Sequence, residues 1–277
     1  MRIVLFASGS PASLIAWEKL SSAAEVVAVV VPRKRRGQFR GTRILRFAPS
    51  PSFTERLARL RPDLICVATF PAVLRPEVIG TALHGAINVH PSLLPRHRGP
   101  DPIFWTYFHD DAETGVTVHR IDDGVDAGPI LMQRSLPLPR LMRGLDLYRQ
   151  LAAAGAELLV EAVRRIAADP TAGVPQNETA ATIEPRPLPG RWSIDYDRWP
   201  AERLAHFLAG VEHRPRFTLP DRDGRRHLVG PGTGWREQRH TFPPGTIRGR
   251  TLFARDGVVH LGRPRFRDRL AHLLAGR

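Results

Sequence analysis

The sequence predicts an α/β protein: a mostly parallel sheet with helices on both faces, followed by a smaller β-rich region. Three observations carry this. Short, nearly continuous apolar runs recur at Arg2–Ala7, Glu25–Val31, Leu64–Ala68 and Ala86–His90, the pattern of strands buried on both faces. Helical patterns lie between several of them, as crossovers joining parallel strands require. Beyond Pro170 the composition shifts to Pro, Thr, Gly and Asn, and later short β-like runs are broken by Asp223-Gly224 and Asp256-Gly257 turns.

Each element has a local reason. The first run ends in Ser8-Gly9-Ser10-Pro11, and Pro11 suits the first turn of a helix carrying Leu14, Ile15, Trp17 and Leu20. The second strand is followed by a basic loop over residues 32–43, with Arg33-Lys34-Arg35-Arg36, Arg40 and Arg43. Ser52 and Glu55 have capping-box spacing and predict a short helix toward Leu60. A loop over 69–74 follows the third strand, and Pro76 can open another helix. Residues 116–121 read as a further strand, 122–128 as an acidic turn and 129–132 as another apolar run. Residues 143–169 form a long helical pattern, apolar at Leu147, Leu151, Ala154, Leu158, Leu159, Val163 and Ile166. The expected organisation is a domain over residues 1–169, a linker over 170–191 and a C-terminal domain over 192–277. Within the last, 192–211 reads as a short strand and a helix.

Composition narrows the class. The 277 residues, 42% apolar, suffice for a sizeable core. The one cysteine, Cys66, sits inside an apolar run, which excludes an intramolecular disulfide and a cysteine-based zinc cluster and reads as a core residue. No metal site is expected. No apolar run approaches the ~20 residues of a membrane span, and the N-terminal run is too short for a signal peptide, so a soluble cytoplasmic protein is expected. The net charge is +14, from 41 basic and 27 acidic residues, and every basic residue except Lys19 and Lys34 is arginine. Such a surface favours polyanionic partners, although a solvated arginine-rich face explains it equally well.

The chemistry concentrates in residues 86–105. Alternation puts Asn88 and His90 on one face at a strand's end, where open parallel sheets bind ligands. Pro91 and Pro95 stiffen the chain after them, and Arg96-His97-Arg98-Gly99 follows. An amide there can stabilise an oxyanion, and an imidazole can move a proton between nucleophile and leaving group. Asp126, in a glycine-flanked loop, can orient His90 or hold a water. No serine or cysteine paired with a base is evident, so attack by a substrate's own amine is more natural than a covalent intermediate.

Asn88-x-His90-x-Ser92-Leu93-Leu94-Pro95, then Gly115-Val116-Thr117-Val118-His119 and Gly124-Val125-Asp126-Ala127-Gly128-Pro129-Ile130, resemble the folate-dependent formyltransferases. The resemblance implies a Rossmann-like sheet and transfer of formyl from 10-formyltetrahydrofolate to an amine, with Asn88, His90 and Asp126 as catalytic residues. It implies a pterin pocket between the loop Phe70, Pro71, Ala72, Val73 and Leu74, with Leu93, and the loop Asp122, Asp123 and Val125. It also implies a C-terminal OB-like β-barrel, present in methionyl-tRNA formyltransferases and some nucleotide-sugar formyltransferases.

The acceptor is less determined. The basic loop and the added domain favour tRNA. Against it, Arg98-Gly99-Pro100-Asp101-Pro102 replaces the Arg-Gly-Ala-Ala-Pro run of the tRNA enzymes, and an anion at Asp101 suits a small ammonium better than a phosphate backbone. The reading therefore leans to a small amine or amino sugar, with Ser92, Arg98 and Asp101 as acceptor contacts, while Asp101 reads equally as a helix N-cap. Methionyl-tRNA is the alternative acceptor, and hydrolysis of formyl-folate a further one.

Overall fold

The computed structural model describes residues 1–33, 39–211, 217–230 and 232–263. Its first strands are Arg2–Ala7 (β1), Glu25–Val31 (β2), Ile44–Arg46 (β3), Leu64–Ala68 (β4) and Ala86–His90 (β5). All neighbouring pairs among them are parallel. Glu113–Arg120 (β6) runs antiparallel to β5, and Ile130–Pro137 (β7) completes a seven-stranded sheet in the order β3-β2-β1-β4-β5-β6-β7. The mostly parallel sheet is thus observed. The basic loop Lys34-Arg35-Arg36 lies outside the described residues.

Local chemistry starts and stops the helices. Ser10 caps Pro11–Ala23 (α1), its hydroxyl accepting from the Ser13 amide. Pro51–Ala58 (α2) is capped by Ser50, not by the Ser52–Glu55 box, because Pro51 takes the first helical position and leaves Ser52 inside the helix. Pro76–Ile79 (α3) opens on its proline as expected, and Gly144–Ala168 (α5) matches the long apolar periodicity. Phe6, Val30, Phe53, Leu57, Ile65 and Val67 form one buried cluster on a face of the sheet. At ~1.5–3 kcal/mol per fully buried side chain, such a cluster is the main stabilising term. Cys66 is fully buried in β4, and burial pushes its thiol pKa far up, so it is a packing residue.

The chain divides into two compact units, each assembled from separate stretches. The first comprises 1–99, 114–136 and 149–184; the second comprises 100–113, 137–148 and the described residues from 185 on. Residues 172–184 are bonded into the first unit: Val174 pairs with Ile130 and Ile183 with Arg98. The stretch lacks periodicity because its bonds are made to distant loops.

In the second unit, Pro102–Phe108 (α4) packs on Ala201–Gly210 (α6) through Phe104, Phe108 and Phe207, joined by Trp192 and Trp199. Trp192 belongs to no strand; 192–200 is loop and turn leading into α6. Thr218–Pro220 (β8) and Arg226–Leu228 (β9) form a hairpin across the Asp223-Gly224 turn. Gly232–Glu237 (β10), Ile247–Arg248 (β11), Thr251–Phe253 (β12) and Gly257–Leu261 (β13) form a sheet in the order β10-β13-β12-β11, antiparallel wherever a register is assigned.

Gly210 is where α6 meets α4: a Cβ there would lie 2.1 Å from Cγ of the buried Tyr107 ring. Gly210→Ala should therefore destabilise the protein by about 1–3 kcal/mol, the usual cost of overpacking. Denaturant unfolding measures this, and a loss below about 0.5 kcal/mol would mean that the Tyr107 ring yields freely.

Candidate active site

The antiparallel register of β5 and β6 sets Asn88 opposite His119 and His90 opposite Thr117. These four polar side chains therefore share one face of an otherwise apolar pair of strands. Asn88 Nδ2 lies 3.2 Å from His119 Nε2, and His119 Nδ1 donates to the Arg120 carbonyl at 2.7 Å. With the Nδ1 proton so engaged, Nε2 accepts from the Asn88 amide and fixes its orientation. One hydrogen of that NH₂ remains for another acceptor.

His90 is held in a similar way. Its Nε2 donates to the His97 carbonyl at 2.9 Å, which leaves Nδ1 unprotonated in the neutral ring. That nitrogen faces Asp126 Oδ2 at 3.5 Å, while Asp126 Oδ1 lies 3.5 Å from His119 Nε2. Oδ2 also accepts from the Gly99 amide at 2.9 Å. Burial pushes the Asp126 pKa up, but the adjacent His119 and His90 rings and the bond from the Gly99 amide outweigh it and bring the value to about 2. Burial lowers the pKa of His90 below 6.5, and the carboxylate of Asp126 opposes this only in part. At neutral pH the pair is an ionised aspartate facing an uncharged imidazole. Neither has a proton to offer the other, so both atoms are acceptors toward any N–H or O–H that approaches alongside them.

The loop after β5 is built to hold this. Thr117 Oγ1 donates to the Ser92 carbonyl at 2.7 Å and accepts from the Leu94 amide and from Gln133 Nε2. Gln133 Nε2 also reaches the Leu94 carbonyl, and the Leu94–Pro95 peptide is cis.

Sequence-derived candidates fall into three groups. Asn88, His90 and Asp126 come together. Of the pocket loops, Pro71, Ala72 and Val73 are exposed, with Val73 at 86%, and so are Asp122, Asp123 and Val125. Phe70 packs edge-on against Phe6 and Phe47, and Leu74 is buried in the core cluster, so these two face the protein interior. Leu93 is half-buried, with its side chain against Gly115.

The acceptor candidates do not form a contact surface. Ser92 is fully buried and donates to the Arg96 carbonyl. Arg98 is 3% exposed, and its guanidinium is bonded to Gln176 and Glu178. Asp101 occupies the N-cap position of α4, as its alternative reading expected, though no side-chain capping bond forms. The main omission from the sequence reading was His119. The alternation of Thr117 and His119 in an apolar strand was its signal, but only the β5–β6 register brings it to Asn88.

Asn88, His90 and Asp126 thus bring an amide, an imidazole and a carboxylate together at a strand end of a mostly parallel sheet, a set of groups that can serve acyl transfer. Residues 23–163 match the formyl transferase family. A methionyl-tRNA formyltransferase from Roseiflexus castenholzii is 35% identical over 216 residues, covering 76% of this chain and 68% of that protein. Another from Syntrophus aciditrophicus is 42% identical over 135 residues, covering 49% and 43%. Among solved structures, HypX from Aquifex aeolicus in complex with tetrahydrofolic acid superposes with a TM-score of 0.68 at 19% identity, over 94% of this chain and 43% of that one. This chain belongs to the formyl transferase family. Its matches span between 43% and 68% of the lengths of these three proteins.

The charge arrangement has a measurable consequence. The His90 imidazole should titrate below pH 6.5, and Asp126→Asn should lower its pKa further by removing the facing carboxylate. NMR titration of the histidine ring protons reads both, and an unchanged His90 titration in the variant would separate the two side chains electrostatically.

Proposed function

We propose that the protein transfers a formyl group from 10-formyltetrahydrofolate to the amine of methionyl-tRNA. The observation that carries the chemistry is the open Nδ1 of His90 facing ionised Asp126, beside the Asn88 amide. The acceptor nitrogen attacks the formyl carbon, and the developing oxyanion takes the remaining hydrogen of Asn88 Nδ2. The attacking amine passes its proton to His90 Nδ1, where Asp126 stabilises the imidazolium. The bond between the formyl carbon and folate N10 then breaks, and the proton passes to N10. The exposed segments 71–73 and 122–125 are proposed to flank the pterin, with Phe70, Leu74 and Leu93 as their packed supports.

For the acceptor, the names of the curated relatives favour tRNA over the small amine suggested by residues 98–102. That suggestion is weakened because the Arg98 side chain is occupied within the protein and Asp101 stands at a helix N-cap position. Arg33, Arg40 and Arg43 are exposed around the basic loop, in keeping with a phosphate backbone. The proposal keeps a catalytic domain over 1–169, a connection over 170–191 and a C-terminal domain over 192–277. The antiparallel sheets of that last region are taken as parts of an OB-type barrel.

Formyl transfer from 10-formyltetrahydrofolate to charged methionyl-tRNA, nucleotide-linked amino sugars and free amines tests this directly. Transfer confined to methionyl-tRNA is expected; transfer only to amino sugars would replace the acceptor, and amine-independent loss of formyl would make the protein a hydrolase. Asn88→Ala, His90→Ala and Asp126→Asn should each lower kcat by ~10²-fold or more. Near-normal rates in all three would remove the site assignment. Neutralising Arg33, Arg35, Arg36 and Arg40 together should raise the KM for tRNA and flatten its salt dependence, and unchanged kinetics would detach the loop from tRNA binding.

A further inference from the structure

Asp126 has a left-handed backbone, with φ of 49°, which is uncommon for a residue with a side chain. Something must hold it there. The Gln176 side-chain amide donates to the carbonyls of both Asp126 and Gly128, each at 2.8 Å, and so bridges the two ends of the turn. Its oxygen in turn accepts from Arg98 Nε at 3.1 Å and Nη2 at 2.8 Å. Arg98 is itself fixed from three sides. Its guanidinium pairs with both Glu178 oxygens at 2.6 and 2.8 Å, its amide donates to the Thr182 carbonyl, and its carbonyl accepts from the Glu184 amide. The residues flanking Arg98 are the ones that touch the site: the His97 carbonyl holds His90, and the Gly99 amide holds the Asp126 carboxylate. Gly99 has φ of 117°, and a Cβ on it would lie 2.3 Å from the Glu184 carbonyl oxygen.

We propose that Gln176, oriented by Arg98, is a positioning residue that sets the Asp126 carboxylate against His90, and that segment 174–184 is a strap ordering the site rather than a passive connection. This rests on the reading of Asn88, His90 and Asp126 as the reacting groups. Gln176 touches only the backbone of the Asp126 turn, so it acts through that residue. Losing its two donated bonds frees residue 126 to leave the left-handed region and draws its carboxylate away from His90 Nδ1, His119 Nε2 and the Gly99 amide together.

Two substitutions separate positioning from plain support of the strap. Gln176→Glu keeps an acceptor for Arg98 but turns a carboxylate, with nothing to donate, toward the Asp126 and Gly128 carbonyls. Gln176→Met keeps the length of the side chain and removes both sets of bonds without adding charge. Positioning predicts that both variants lose kcat by tenfold or more, with KM for both substrates within about twofold of the parent. It also predicts that Gln176→Met lowers the His90 pKa in the direction set by Asp126→Asn, read by NMR titration. A role limited to holding the strap predicts that Gln176→Glu retains near-parental kcat because its link to Arg98 survives, and that result would overturn the proposal. So would a His90 titration in folded Gln176→Met identical to the parent's while Asp126→Asn shifts it. The titration needs no assumed reaction: if Asp126→Asn shifts His90 but leaves formyl transfer intact, the catalytic reading fails while the positioning of Asp126 by Gln176 is still decided.

Discussion

The site depends on keeping one carboxylate ionised where water reaches it poorly. Moving a charge out of water costs several kcal/mol unless donors replace the lost hydration. Asp126 meets that requirement with the Gly99 amide donating to one oxygen, and its two oxygens lie 3.5 Å from the rings of His90 and His119. A charge-assisted bond such as that from the Gly99 amide contributes roughly 1.5–3 kcal/mol, and a pKa of about 2 is the outward sign that the charged form is favoured. The arrangement of β5, β6 and the loop over 97–99 follows from delivering those donors to one point. Because the carboxylate remains charged, it favours protonation of the imidazole beside it, while burial of that ring opposes it more strongly.

That requirement explains why a polar stretch without periodicity is structured. Residues 172–184 bury little apolar surface, yet their backbone and side chains answer groups on two loops that would otherwise go unpaired. Thr182 accepts from the His97 amide through its hydroxyl, and its carbonyl accepts from Arg98. Buried Arg98 is tolerable only because Gln176 and Glu178 supply acceptors for its fork of donors. Removing one partner would leave a buried cation unsatisfied, which costs more than the bond itself contributes.

The second unit is organised differently, by aromatic packing. Phe104 and Phe108, which follow the site loop in sequence, pack with Phe207, Trp192 and Trp199 from residues far along the chain. The same α4–α6 contact requires Gly210, since no side chain fits against the Tyr107 ring. A substrate-facing reading of residues 98–102 is attractive from sequence because they combine Arg, Gly and Asp. In the fold these residues leave a polar anchor, Arg98, and begin a helix at Pro102.

The parallel sheet was legible because burial on both faces forces apolar, β-branched runs at regular intervals, and the placement of Asn88 and His90 followed from strand alternation alone. Ser50 as the α2 cap was missed because the Ser52–Glu55 spacing imitates a box, whereas Pro51 fixes the first helical position. His119, Gln176 and the interior role of Arg98 could not be read, since each is defined by partners 31, 50 and 78 residues away. The sequence by itself therefore determined the buried strands β1, β2, β4 and β5 and the residue types at the end of β5, because those depend on periodicity and local sterics, whereas the short β3 and the loop at Trp192 left no such pattern. Only the tertiary structure decided which nitrogen of His90 is open, what keeps Asp126 charged and what holds its turn, because hydrogen bonds between distant loops leave no periodic trace in the chain.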